Sequence, residues 1–124
     1  GRLNIIHTDQ FTLIDDSYNA SPSSITAALE TLKTFSGELV IVLGDMAELG
    51  TQTITLHKKI GLQAQQISPN FYTFGPLAEH YQAQHFASQT ALADHILQHH
   101  QGATLLIKGS RVVQLDKLVK LLQK

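Results

Sequence analysis

Hydrophobic positions along this chain follow two alternating rhythms. Short apolar, often β-branched runs give way to longer stretches with apolar residues three or four apart, the spacing of a single buried helix face. Leu3 to His7 and Phe11 to Ile14 are two strand-like runs joined by Thr8-Asp9-Gln10, a predicted hairpin. After a polar turn from Asp15 to Ala20, Ile25, Ala28, Leu29, Leu32 and Phe35 line one face of a helix predicted over 22–35. Ser21 is its expected N-cap, Pro22 its first residue and Gly37 its stop. Glu38 to Leu43 is almost continuously apolar, as in a strand covered on both faces. A helix is predicted from Thr53 to Gln66, with Ile54, His57, Ile60 and Ala64 on its apolar side. A short strand over Phe71 to Phe74, a helix over Leu77 to Gln84 and a minimal strand at His85-Phe86 come next. Ser88 caps a predicted helix to His100 that presents Leu92 and Ile96. Thr104 to Ile107 is another buried strand, and a last helix aligns Leu115, Leu118, Val119 and Leu122.

Strands alternating with helices imply a Rossmann-like α/β domain of three layers, with a mostly parallel sheet and an N-terminal β-hairpin. In such sheets ligands sit outside the carboxyl ends of the strands. Asp15 to Asn19, Gly44 to Gly50, Gly75-Pro76 and Lys108 to Arg111 each follow a predicted strand directly, so four loops gather at one edge. Asp15, Asp16, Tyr18 and Asn19 put two carboxylates, a phenol and an amide beside a helix N-terminus, where unpaired backbone N–H groups favour an anion or a ribose. Asp and Asn as plain turn formers are the other reading of that stretch. Lys108, Ser110 and Arg111 supply cations and a hydroxyl where a turn asks only for glycine.

Composition narrows the partners more than the fold. The 124 residues form one domain with 43% apolar and 15% charged residues and a net charge of −1. With Lys and Arg scattered, a nucleic-acid partner is not expected. No run is apolar enough to suggest insertion in a membrane. The chain holds no cysteine, which excludes disulfides and thiolate metal sites and fits a reducing compartment. A start on Gly1 reads as a fragment or a mature product. His95 and His99 have the i, i+4 spacing of a metal pair, but no carboxylate pattern completes it and a solvated face is expected. His57, on an apolar face, reads as a core or supporting histidine. No Gly-x-Ser-x-Gly turn, P-loop or Gly-x-Gly-x-x-Gly occurs, so any nucleotide must be shared with another domain.

Leu-Ile-Asp-Asp-Ser-Tyr-Asn-Ala-Ser-Pro at 13–22, Val-Leu-Gly-Asp-Met-Ala-Glu-Leu-Gly at 42–50 with His57 after it, and Ile-Lys-Gly-Ser-Arg at 107–111 are diagnostic together, with Gly-Arg-Leu at the start. In this order the chain resembles the C-terminal domain of the Mur ligases, most closely the branch that adds D-alanyl-D-alanine. Ser21 departs from that pattern, which often has Asn before the proline. The resemblance implies a cytoplasmic three-domain enzyme of peptidoglycan synthesis, with N-terminal and central ATPase domains absent from this chain. ATP would phosphorylate the carboxylate of UDP-N-acetylmuramoyl-tripeptide, and the amine of D-alanyl-D-alanine would attack the acyl phosphate. Mg²⁺ ligands would lie mostly outside this domain, which alone would be inactive.

Residue by residue, the resemblance implies that Asp16 binds the ATP ribose, Asp15 supports the loop, and Tyr18 and Asn19 lie against nucleotide and phosphates. Lys108, Ser110 and Arg111 would face the closed cleft and meet the dipeptide carboxylate or the tetrahedral charge. Charge complementarity, beyond what the resemblance implies, suggests that Asp45 and Glu48 hold the incoming ammonium and drain its proton, with Met46, Ala47 and Leu49 shaping a pocket for methyl groups. No residue is assigned a catalytic or metal-binding role. Two other classes stay open: a phospho-accepting receiver-like domain, suggested by Asp15-Asp16, Asp45 and Lys108 at strand ends, and a stand-alone nucleotide-binding module. The spacing weighs against the receiver, because only one helix separates Asp16 from Asp45.

Overall fold

The computed structural model describes residues 4–124. The expected strand start at Leu3 and the Gly-Arg-Leu match lie outside the described residues. The strands are β1 (Asn4–His7), β2 (Thr12–Asp16), β3 (Leu39–Gly44), β4 (Phe71–Phe74), β5 (Gln84–Phe86) and β6 (Thr104–Lys108). The α-helices are α1 (Pro22–Leu32), α2 (Thr53–Ile67), α3 (Gln89–His99) and α4 (Asp116–Leu122). One six-stranded sheet has the order β1-β2-β6-β3-β4-β5. The β1–β2 hairpin is antiparallel, and every other pairing is parallel.

Alternation along the central strands divides the core into two halves. Leu13, Val40, Val42, Leu105 and Ile107 pack beneath α3 and α4 with Leu92, Ile96, Leu115, Leu118 and Leu122. Ile14, Ile41, Leu43 and Leu106 point to the other face and meet Ile25, Leu29, Leu32, Ile60 and Ala64 of α1 and α2. Burial on both faces explains the unbroken apolar runs of β3 and β6. α1 starts as expected: the Ser24 amide donates to Ser21 Oγ at 3.1 Å and the Ser21 amide donates to Ser24 Oγ at 2.9 Å. Such a reciprocal cap stabilises a helix by about 1 kcal/mol.

Several expected boundaries move for local reasons. β2 runs two residues further and absorbs Asp15 and Asp16, because Asp16 pairs in register with Lys108 of β6. α1 ends at Leu32, not Phe35, since the Thr34 and Phe35 amides turn back to carbonyls three residues earlier. The helix expected over 77–84 is a 3₁₀ turn at Ala78–Tyr81, followed by β5. The Leu77 amide is captured by the Asp45 carboxylate, and Gln82 turns left-handed at φ 64°, which ends the turn. Ile54 is half exposed, so the buried line of α2 consists of His57, Ile60, Gly61 and Ala64.

Candidate functional site

The chain leaves β2 and β3 towards the α1/α2 face, but it leaves β6 towards the α4 face. Because β6 lies between β2 and β3, the connections diverge on both sides of it. Such a divergence at the carboxyl ends is where an open α/β sheet takes its ligands. The four loops expected at one edge do end there together.

Lys108 closes β6 and turns inward. Its Nζ donates to Asp16 Oδ2 and, at 2.9 Å, to the Asn19 carbonyl, and its side chain is 1% exposed. An ammonium so buried persists because it is paired and hydrogen-bonded. It ties the end of β2 to the loop before α1. Asp15 Oδ1 accepts the Ser17 amide at 3.1 Å, an Asx turn that bends the same loop. Ser17 is buried and its Oγ has no protein partner, whereas Tyr18 and Asn19 stand exposed. Lys108, expected to face a cleft, is thus an internal brace, while Tyr18 and Asn19 are presented outward.

Asp45 follows β3 and is also buried. Its carboxylate accepts the Leu77 amide at 2.9 Å, and its carbonyl accepts the Ser110 amide at 2.8 Å. One residue therefore joins the loops after β3, β4 and β6. Burial pushes its carboxyl above the usual range, against the pull of the Leu77 and Ala78 amides and of His57. Gly75 adopts φ 125°, and a Cβ there would collide with Asp45 Oδ1. At the neighbouring strand ends, a Cβ on Gly109 would come within 2.9 Å of Gly44 Cα. Side chains would force these loops apart.

The Met46 amide donates to His57 Nε2 at 3.0 Å, and His57 Nδ1 lies 2.6 Å from the Thr53 carbonyl. Nε2 must then be the bare nitrogen and Nδ1 the protonated one. Burial holds the imidazole below its ordinary pKa, so it stays neutral. Tyr81 packs on its ring, with centroids 4.8 Å apart, and donates to the Gly44 carbonyl at 2.8 Å. Met46 itself is fully buried in the α1/α2 half of the core, so it does not line an open pocket; Ala47 is exposed and Leu49 half-buried. Glu48 is exposed and left-handed at φ 61°. Ser110 is buried, Arg111 and Val112 are exposed, and all three lie at this same edge.

Sequence reasoning missed Tyr81, which it placed inside a helix, and the capture of the Leu77 amide by Asp45. It named His57 as a core or supporting histidine, and the imidazole is fully buried. His95 is not on a wholly solvated face: it packs against Tyr72 and Phe86. The strand order also tells against a receiver domain. The lysine strand β6 separates the two acid-bearing strands, and Asp45 is enclosed by backbone amides and has little surface for a phosphoryl donor.

Residues 1–111 match the family model for the Mur ligase, glutamate ligase domain. The chain belongs to the Mur ligase family. Among curated Mur ligase relatives, the UDP-N-acetylmuramoyl-tripeptide–D-alanyl-D-alanine ligase of Escherichia coli K12 is 35% identical over 120 residues, covering 90% of this chain. The enzyme of the same name from Bacillus subtilis 168 is 33% identical, covering 96% of this chain. The chain spans 26% and 30% of the length of these two relatives. A crystal structure of MurF ligase from Thermotoga maritima in complex with ADP superposes with a TM-score of 0.91 at 26% identity, covering 99% of this chain and 30% of that one. MurF from Acinetobacter baumannii gives 0.88 at 30% identity, with the same coverage. The Mur ligase C-terminal fold, including its antiparallel hairpin, is therefore the fold of this chain.

Proposed function

We propose that this chain is the C-terminal domain of an ATP-dependent amide ligase that joins D-alanyl-D-alanine to UDP-N-acetylmuramoyl-tripeptide in peptidoglycan synthesis. The observation that carries the reading is the match of nearly the whole chain to enzymes of that name, from the hairpin to the loop after β6. The open, loop-built edge supports it. Lys108 and Asp45 are committed to internal partners and Asp16 is braced by Lys108 through one carboxylate oxygen, while Tyr18, Asn19, Glu48 and Arg111 are exposed there. Such a surface suits a site completed by other domains.

In this reading the longer protein adds an N-terminal domain that grips the UDP-sugar peptide and a central domain that carries the phosphate loop. ATP and Mg²⁺ supply the phosphoryl group and the charge neutralisation that convert the peptide carboxylate to an acyl phosphate. This domain closes over that anhydride, keeps water out and holds the amine in line. Asp16 and its loop, with Tyr18 and Asn19, meet the nucleotide; Arg111 and the Ser110 hydroxyl meet the dipeptide carboxylate or the tetrahedral oxyanion. Glu48 attracts the ammonium, and Asp45 and Lys108 fix the loops that carry these groups. The enzyme works in the cytoplasm, where ATP and the UDP-linked donor are found.

The test is ATP-dependent phosphate release by the longer natural protein, supplied with both substrates, beside the 124-residue chain alone. Release from the longer protein that needs both substrates, with none from the chain, is the expected result. Release independent of D-alanyl-D-alanine would overturn the reading. Arg111→Ala should raise the dipeptide KM about tenfold or more, as loss of a charge-assisted contact does.

A further inference from the structure

The loop that presents Glu48 is gripped at both ends by a single turn of α2. At its start the Met46 amide donates to His57 Nε2 at 3.0 Å. At its finish the Thr53 hydroxyl donates to the Gly50 carbonyl at 2.7 Å. Thr53 and His57, four residues apart, are themselves joined, because His57 Nδ1 donates to the Thr53 carbonyl at 2.6 Å. Between the clamps the backbone passes through the left-handed region at Glu48, a conformation unfavourable for glutamate that persists only where the surroundings impose it. Met46 has no exposure, so water cannot replace a lost acceptor for its amide.

We propose that His57 is a positioning residue of the amine-binding side of the site: as an Nδ1-protonated neutral imidazole it holds the Gly44–Gly50 loop in the shape that offers Glu48 to the incoming ammonium. The inference rests on the ligase reading for the identity of that ligand. Protonation of Nε2 removes the acceptor and sets an N–H against the Met46 N–H. The clamp opens, and the Glu48 backbone is free to leave φ 61°. The groups facing the ring are Asp45 from the β3 loop, which favours the cation, and His80 and Tyr81 from the 3₁₀ turn. Burial outweighs Asp45, so opening begins on the acid side of the ordinary histidine range.

Two measurements test this. In the 124-residue chain, long-range proton–nitrogen correlation should find His57 as the Nδ1–H tautomer at neutral pH, and the Met46 amide should shift with the titration of His57. An Nε2–H tautomer, or a Met46 amide indifferent to that titration, overturns the proposal without touching the ligase reading. In the longer enzyme, His57→Gln replaces the acceptor with one that does not titrate, and His57→Leu removes it. His57→Gln should keep the D-alanyl-D-alanine KM within about twofold in mildly alkaline solution and abolish its rise on acidification. His57→Leu should raise that KM about tenfold at all pH, with the KM for ATP unchanged. Equal effects of both variants on both KM values would mean a purely structural histidine. Failure of the unaltered enzyme to use the dipeptide would sink the ligase reading and leave the tautomer result standing.

Discussion

Tyr81 and Tyr72, one just after β4 and one within it, each pack against histidine, but their hydrogen bonds go to different kinds of partner. Tyr81 donates to the Gly44 carbonyl, and its companion His57 accepts the Met46 amide. Both side chains therefore hold the backbone of one loop at the carboxyl edge. Tyr72 meets His100 Nε2 at 2.5 Å and His95 Nε2 at 3.2 Å, and His100 Nδ1 reaches Glu38 Oε2 at 3.2 Å. That chain runs from side chain to side chain and joins β4, the end of α3 and the residue before β3. Side chains bonded to backbone fix the path of a loop. Side chains bonded to one another fasten elements that the sheet already holds. The first arrangement is suited to a site and the second to a scaffold.

The strongest way to break the first pair is Gly61→Ala. Gly61 lies one helical turn beyond His57, and a Cβ there would collide with the Tyr81 carbonyl, a rigid backbone atom. α2 and the 3₁₀ turn must separate, which should cost about 3 kcal/mol in urea unfolding. Leu62→Ala, at an exposed neighbouring position, should change little. A loss below about 1 kcal/mol for Gly61→Ala would mean that the α2–Tyr81 contact yields easily.

Removing each hydroxyl sharpens the contrast. Tyr72→Phe strips two imidazoles of their shared partner and should cost about 2 kcal/mol; Tyr81→Phe strips one carbonyl and should cost about 1 kcal/mol. Hydrogen exchange at Met46 should show the reverse order. In Tyr81→Phe it should quicken by more than the stability loss explains, and in Tyr72→Phe it should follow global unfolding alone. Equal behaviour would erase the distinction between loop-holding and element-fastening groups.

This distinction was only half visible in the chain. Ser21, the Ile25–Leu32 face, the β3 and β6 runs and the Leu115–Leu122 stripe were legible because periodicity and caps are local properties. The four-loop edge was legible because it follows from strand direction alone. The inward turn of Lys108 was not, since it depends on β6 slotting between β2 and β3 and meeting Asp16, 92 residues away. Nor was the fate of 77–84: its composition suits a helix, and a carboxylate from another loop holds its first amide, whereas the short strand at His85-Phe86 was legible. The chain showed which loops share an edge but not which of their charges face inward.

Acid should separate the two regions next. Burial lowers the pKa of His57, and burial together with His99 and His100 lowers that of His95. The unfolded chain then takes up protons more readily than the folded one, so stability present above about pH 6.5 is lost as pH falls towards the folded values. His57 is fully buried and His95 is not, so His57→Gln should flatten the loss on acidification more than His95→Gln does. The reverse order in urea titrations at several pH values would move the pH-sensitive point to the scaffold.

Glu38→Gln should have the smallest effect. The Glu38 side chain is 43% exposed, and its carboxylate meets His100 Nδ1 and, at 3.4 Å, the Asn70 amide. Water screens a pair at that depth, and glutamine retains an oxygen to accept the same bonds, so the cost should stay below about 0.5 kcal/mol with little dependence on salt. A loss several times larger, shrinking as salt is added, would mean that charge holds the far chain together. The Tyr72 network would then resemble the carboxyl edge, where Lys108 and Asp16 are enclosed together. That the Tyr72 chain fastens β4, α3 and the residue before β3 without help from charge therefore depends on Glu38 being dispensable.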